Sequence, residues 1–359
     1  MPCRAISTIA TDTKFTIQAD GKVVVDANGS QTEDGTILIQ DALTKIAISK
    51  VDVTSQKEIA GAKIQILDED GKIVKLGGKK VEWTSVADDE STADVDESIH
   101  YVEGLRTSVE YTLHEVTTPN GYTVASDTTF VINAKGEVEV ISASTKDKAG
   151  KTVLLVEDAE TVVKVSKVET GAGEEIEGAH IQIVDSEGNV VHEWNSHVDD
   201  KATEDVNEGV HEIRGLHTNE TYILRETVAP DGFTVATDTT FSIDEQGNVT
   251  TTGSKNDKGV LLVEDDMTKV KVSKVDIADD KEVEGATIQV LDEDGAVVTT
   301  ATGETLEWTS GKKAKEIVGL KTGVTYILRE TVAPEGYAIA TDIEFSIDER
   351  GNVTTNARQ

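Results

Sequence analysis

Cysteine is almost missing from this chain. Cys3 is the single thiol in 359 residues, so no intramolecular disulfide can form and any covalent staple must use other chemistry. No apolar run approaches the roughly 18 residues a membrane-spanning helix needs, and the opening MPCRAISTIA is too short and too polar for a secretory signal. Without a signal or an anchor, the chain reads as an excised or processed fragment. Positive charge is scarce: 34 Lys and Arg stand against 68 Asp and Glu, a net charge of −34. Phosphate recognition needs clustered cations, and docking on anionic lipid needs a basic patch. Nucleic acid and membrane insertion are therefore excluded as partners. The acidity reads as a solvated, self-repelling surface. Aromatics make up 4% and apolar residues 37%, enough for small sheets that bury one face per strand. Helical periodicity is absent throughout.

Proline is rare as well, with four in all, and three of them mark one repeated turn. Residues 111–132 read YTLHEVTTPNGYTVASDTTFVI, 221–243 TYILRETVAPDGFTVATDTTFSI, and 326–347 YILRETVAPEGYAIATDIEFSI. Each copy holds an alternating strand with a Glu (Glu115, Glu226, Glu330), a turn on Pro119, Pro230 or Pro334, and a second strand. Such punctuation at fixed places marks an array of like domains. Upstream lie IAISKVD, VKVSKVE and VKVSKVD, carrying Lys50, Lys167 and Lys274. Downstream, TVLLVEDAE and VLLVEDDMT carry Asp158 and Asp265, each nine residues before the next Lys. The same count back from Lys50 reaches Asp41, in TILIQDALT (36–44).

This phasing predicts an N-terminal segment 1–44, then domains at 45–160, 161–267 and 268–359, each of about a hundred residues. Residues 1–9 read as a disordered lead. Residues 10–26 duplicate 340–355 and read as a hairpin turning at Asp20-Gly21. Residues 36–44 read as the last strand of a domain whose body is not in the chain. Domain three is expected to lack that strand. KIQILDEDGKIV and its two counterparts read as further hairpins, and Trp83, Trp194 and Trp308 as one core anchor per domain. Many short strands with turns between them predict an all-β architecture, tandem β-sandwich domains in a rod.

Lys, Glu and Asp recur in one order, each on a strand. Parity puts Leu154, Val156 and Asp158 on one face, as it does Ile37, Ile39 and Asp41. Burying a Lys with two carboxyls costs several kcal/mol per ion unless they neutralise; desolvation lowers an amine pKa and raises those of carboxyls. A neutral amine held against a protonated carboxyl can form an amide, with the Glu polarising the carboxyl and carrying the proton. The residues alone leave a second reading open, three surface charges that repeat because the domains repeat. The DEDG stretches at 68–71 and 292–295 lack calcium-loop spacing and the terminal bidentate Glu, so they read as turns. The seven His fall at unmatched positions. No metal or cofactor is expected.

The SK-x-D strand, the ET-x-AP-x-GY box and the VLLVED strand, in that order over nearly the whole chain, closely resemble the Cna B-type (SpaA-like) domains of Gram-positive surface proteins and pilins. The resemblance implies a prealbumin-like, Ig-like sandwich in which the Lys joins an Asp or Asn of the last strand under promotion by the Glu. Carried over, Lys50, Lys167 and Lys274 are nucleophiles, Glu115, Glu226 and Glu330 promoters, and Asp158, Asp265 and Asp41 acceptors. Domain one departs from the box, with HEVTTPNGY around Glu115.

The expected protein is a structural stalk on the bacterial cell surface, locked by single-turnover autocatalysis rather than acting as an enzyme. Its expected partners are copies of itself, joined head to tail from Lys274 to Asp41 of the next chain, with any tip adhesin elsewhere in the assembly. The rival class is an adhesin whose loops grip a host or matrix ligand.

Overall fold

The computed structural model describes residues 12–26, 29–89, 91, 96–148, 151–200 and 207–356; Cys3 and the lead 1–9 lie outside them. Every regular element among the described residues is a strand. Two compact units result: residues 1–161 with 215–218 and 245–247, and residues 162–214, 219–244 and 248–359.

In domain one, a four-stranded sheet runs in the spatial order Ile99–Glu103, Lys45–Asp52, Lys151–Asp158, Ser144–Lys148. A five-stranded sheet has the order Val138–Val140, Thr128–Ile132, Glu110–Thr117, Lys63–Leu67, Glu82–Thr84. Ile46, Ile48, Leu154 and Val156 of the first sheet join Ile64, Ile66, Leu113 and Phe130 of the second in one core. The first and last strands, Lys45–Asp52 and Lys151–Asp158, lie side by side and parallel, whereas every other pairing in the domain is antiparallel. Both are central strands, and Lys45–Asp52 is buried from its second residue onward, as parallel central strands tend to be. Domain two repeats the plan. Its sheets are Val210–Arg214, Val162–Glu169, Leu261–Asp265, Ser254–Lys255 and Val190–Asn195, His180–Val184, Thr221–Val228, Thr239–Ile243, Val249–Thr251.

Domain three has a complete five-stranded sheet, but among the described residues its other sheet is only Lys269–Val272 paired with Lys315–Val318. The first strand stops at Val272, where its counterparts continue to Asp52 and Glu169. Those final residues are held in the other domains by the parallel last strand, which has no counterpart in domain three among the described residues.

One expectation needs correction. Residues 12–26 form a hairpin, Phe15–Ile17 on Val23–Val25, with Gly21 at φ 86 in its turn; residues 10 and 11 lie outside the described residues. Residues 36–44, however, are not one strand: only Ile37–Leu38 pairs, with Ser30–Gln31. Ile39 is 80% exposed and Asp41 is exposed. Alternation marks a face, but without a neighbouring strand and core nothing holds it extended. The tryptophans sit on edge strands, from which Trp83 and Trp308 pack against the cores of their domains. Trp83 stacks on His100 at 4.2 Å and Trp194 on His211 at 4.4 Å, both rings half-buried.

Candidate functional site

Parallel pairing sets Val156 opposite Lys50 and Asp158 opposite Asp52. Lys50 and Asp158 are thus one inner-face step apart on adjacent strands. In domain two Val263 faces Lys167 and Asp265 faces Glu169, the same offset. From the opposite sheet, Tyr111, Leu113 and Glu115 share the buried phase of Glu110–Thr117, so the Glu side chain enters the core over the Lys. All six side chains are fully buried. Lys50 Nζ lies 3.4 Å from Glu115 Oε1 and contacts Asp158 Oδ1. Lys167 Nζ lies 3.3 Å from Glu226 Oε1, contacts Asp265 Oδ1 and donates to the Val263 carbonyl at 3.4 Å.

The remaining Glu oxygen is held from the loop beyond the Pro-x-Gly turn. Glu115 Oε2 accepts the Ala125 N–H at 2.7 Å, Glu226 Oε2 that of Ala236 at 2.6 Å, and Glu330 Oε2 that of Ala340 at 2.6 Å. Opposite each Glu the strand register slips: between Glu115 and Thr117, between His180 and Ile181 facing Glu226, and between Thr287 and Ile288 facing Glu330. Bulges re-aim side chains and gather at reactive sites. Sequence reading missed both devices. The repeated Ala four residues after the turn glycine (Ala125, Ala236, Ala340) would have been a signal for the first.

Fully ionised, Lys, Glu and Asp would together carry one net negative charge in a site closed to water. Burial pushes the Asp158 carboxyl up to about 7, against the pull of Lys50. Burial, and then the hydrogen bond to Asp265, push Glu226 up to about 8; burial raises Asp265 too. Each carboxyl pair therefore retains a proton near neutral pH. A carboxyl so protonated can lose its hydroxyl as water, and the partner carboxylate can take the proton an attacking ammonium must shed.

The pH dependence follows. Raised carboxyl pKa values mean that the unsealed fold binds protons its unfolded chain does not, so this contribution is full at about pH 4 and below and is lost as pH rises to about 8. Cross-linking in domain two of a chain refolded from denaturant should hold its rate up to about pH 8 and slow about tenfold per unit beyond it. Intact mass against time across pH checks this; a rate still climbing at pH 9 would remove the retained proton from the chemistry.

Domain three keeps half of the arrangement. Lys274 Nζ is 3.2 Å from Glu330 Oε1, but its side chain is 16% exposed, and a cavity of about 260 Å³ between Val272, Ile288 and Trp308 opens beside it. Asp41 lies on the exposed segment described above. The DEDG turn at 68–71 uses Asp68 Oδ1 to accept the N–H groups of Asp70 and Lys72. Elsewhere Glu58, Asp88 and Asp96 bring carboxylate oxygens within 4.8 Å of one another, a grouping the sequence did not signal.

These three repeated sandwiches place the chain in a defined class, the prealbumin-like domains. It belongs to the SpaA prealbumin-like fold domain family, whose profile matches residues 44–147, 161–258 and 268–359. No curated protein matches it in sequence. Among solved structures it is similar to the Bacillus anthracis TIE protein (18% identity, 94% of this chain, TM-score 0.38), and it spans 56% of that protein's length. It is also similar to BcpA, the major pilin subunit of Bacillus cereus (16% identity, 87% of this chain and 91% of that one, TM-score 0.30). A streptococcal ancillary pilin gives 16% identity over 85% of this chain and 95% of its own, with a TM-score of 0.31. Among the described residues no helix is long and apolar enough to cross a membrane.

Proposed function

We propose that the chain is a pilin-like structural segment of a Gram-positive surface fibre, whose domains seal themselves with Lys–Asp amide bonds. The observation that carries this is the dry Lys–Glu–Asp group set between parallel first and last strands in domains one and two. Lys50 Nζ attacks the Asp158 carboxyl carbon and Lys167 Nζ that of Asp265. A C–N bond forms, the C–OH bond breaks, and each event expels one water. Glu115 and Glu226 carry the proton. The reaction turns over once, so the protein is not an enzyme. Intact mass of the purified chain should lie two waters below the sequence mass, and Lys167→Ala or Glu226→Ala should return one of them. A mass equal to the sequence value would refute the reading.

The assembly step follows from the open half-site. Residues 36–44 of one chain supply the missing parallel strand of domain three of another, and Lys274 bonds Asp41 with Glu330 as promoter. Such a contact is heterologous and does not close, so it builds a fibre.

A further inference from the structure

Inside the second unit, domains two and three meet at a built joint. The Thr268 N–H donates to the Gly232 carbonyl at 2.9 Å and the Val235 N–H to that of Glu349 at 2.8 Å. Gly232 sits so close that a Cβ on it would stand 3.0 Å from the Gly319 carbonyl oxygen, and Asp231 pairs with Lys321 at 3.0 Å. Within the first unit Gly121 meets Gly215 in the same manner, at 2.9 Å. The turn glycine of one domain therefore packs against the Gly-Leu turn of the next.

Two counterparts of these turns have no such partner among the described residues. Gly336, the third turn glycine, and Gly104, the first Gly-Leu glycine, both have clear space where the other glycines meet each other. Tyr337 is 46% exposed although its Tyr hydroxyl bonds Asp276, whereas its counterpart Phe233 in the closed joint is 7% exposed. The charges match as well. Glu335 stands where Asp231 does, and Arg106 where Lys321 does, so the two open halves carry the same acid–base pair as the closed one. We infer that the Pro334–Tyr337 turn of one chain docks on the Gly104–Arg106 turn of a second copy, with Gly336 against Gly104 and Glu335 beside Arg106. This rests on the head-to-tail reading and names the surface that selects the partner. A rim charge pair of this kind sets partner choice and register more than affinity. The joint between domains one and two has Asn120 and His217 at these positions, so reversing the charges reads only the new contact.

The test uses the full chain carrying Asp41→Ala, which cannot form the covalent link, in sedimentation velocity over a concentration series. Association is expected. Glu335→Arg and Arg106→Glu should each weaken it roughly tenfold or more by setting like charges together, and the two combined should restore it. Gly336→Asn, a residue that tolerates positive φ, should abolish it, while Gly71→Asn at an open hairpin turn should not. A monomeric Asp41→Ala chain, or association indifferent to the charge reversals, overturns the joint. Strand donation is judged separately, by covalent oligomers of the native chain, and can survive that result.

Discussion

Glu226→Gln is expected to leave domain two folded, unsealed and roughly 20–30 °C less heat-stable. Sealing a loop of about 100 residues removes about 4–5 kcal/mol of unfolded-chain entropy by the loop-closure estimate, and a domain of this size shifts about 4–8 °C per kcal/mol. Gln keeps an oxygen for the Ala236 N–H, so the buried donor stays satisfied and the loss reports the missing bond rather than a new unsatisfied group. Lys167→Met, similar in volume and without a nucleophile, should fall by a comparable amount. Calorimetry paired with intact mass checks both. A variant shown by mass to lack the bond, yet melting within a few degrees of the native chain, would deny the bond any stabilising role. Under load the contrast should be larger. Force enters domain two along Val162–Glu169 and leaves along Leu261–Asp265, neighbouring parallel strands that the proposed bond ties together. A sealed domain yields almost no length, whereas an unsealed one releases roughly 300 Å at about 3.3 Å per residue.

Much of this arrangement is legible in the sequence because it is local. Alternation alone puts Glu226 in phase with Tyr222 and Leu224, and the structure buries all three. The hairpins announce themselves by turn residues, and the nine residues from each Asp to the next Lys mark a junction that recurs between domains. The rest depends on partners far along the chain. The slipped register beside Glu226 belongs to the pairing of His180–Val184 with Thr221–Val228, and neither strand encodes it alone. Ala236 holds Glu226 through its backbone, which a side-chain pattern cannot show. TILIQDALT has the alternation of a last strand, but strand identity needs a neighbour, so Ile39 and Asp41 face solvent. The glycine joints escape notice for the same reason: Gly232 reads as a turn residue until Gly319 is seen against it.

Concentrated native chain should give a covalent ladder on denaturing gels, and the ladder should be directional. Domain three presents Lys274 against Glu330 beside a first strand with one edge unpaired among the described residues, a template for an added strand. Inserting residues 36–41 of another chain supplies parallel hydrogen bonds and sets Asp41 against Lys274. Once the strand is seated, the reaction is effectively intramolecular, so the slow step is encounter and yield should rise with concentration. The donor must leave its own hairpin, Phe15–Ile17 with Val23–Val25, outside the acceptor, whose Ile343–Ile347 and Val353–Thr355 already fill that place. Asp41→Ala removes the acceptor carboxyl and Lys274→Ala the amine, so each variant alone should stay monomeric on the gel. Mixed, they are complementary once only: Lys274 of the first can bond Asp41 of the second, and neither product end can continue. The mixture should therefore stop at a dimer, one water lighter than the sum of its two chains. A native chain that remains monomeric on the gel while domains one and two are sealed would refute strand donation. A ladder in the mixture would place the link at residues other than Lys274 and Asp41.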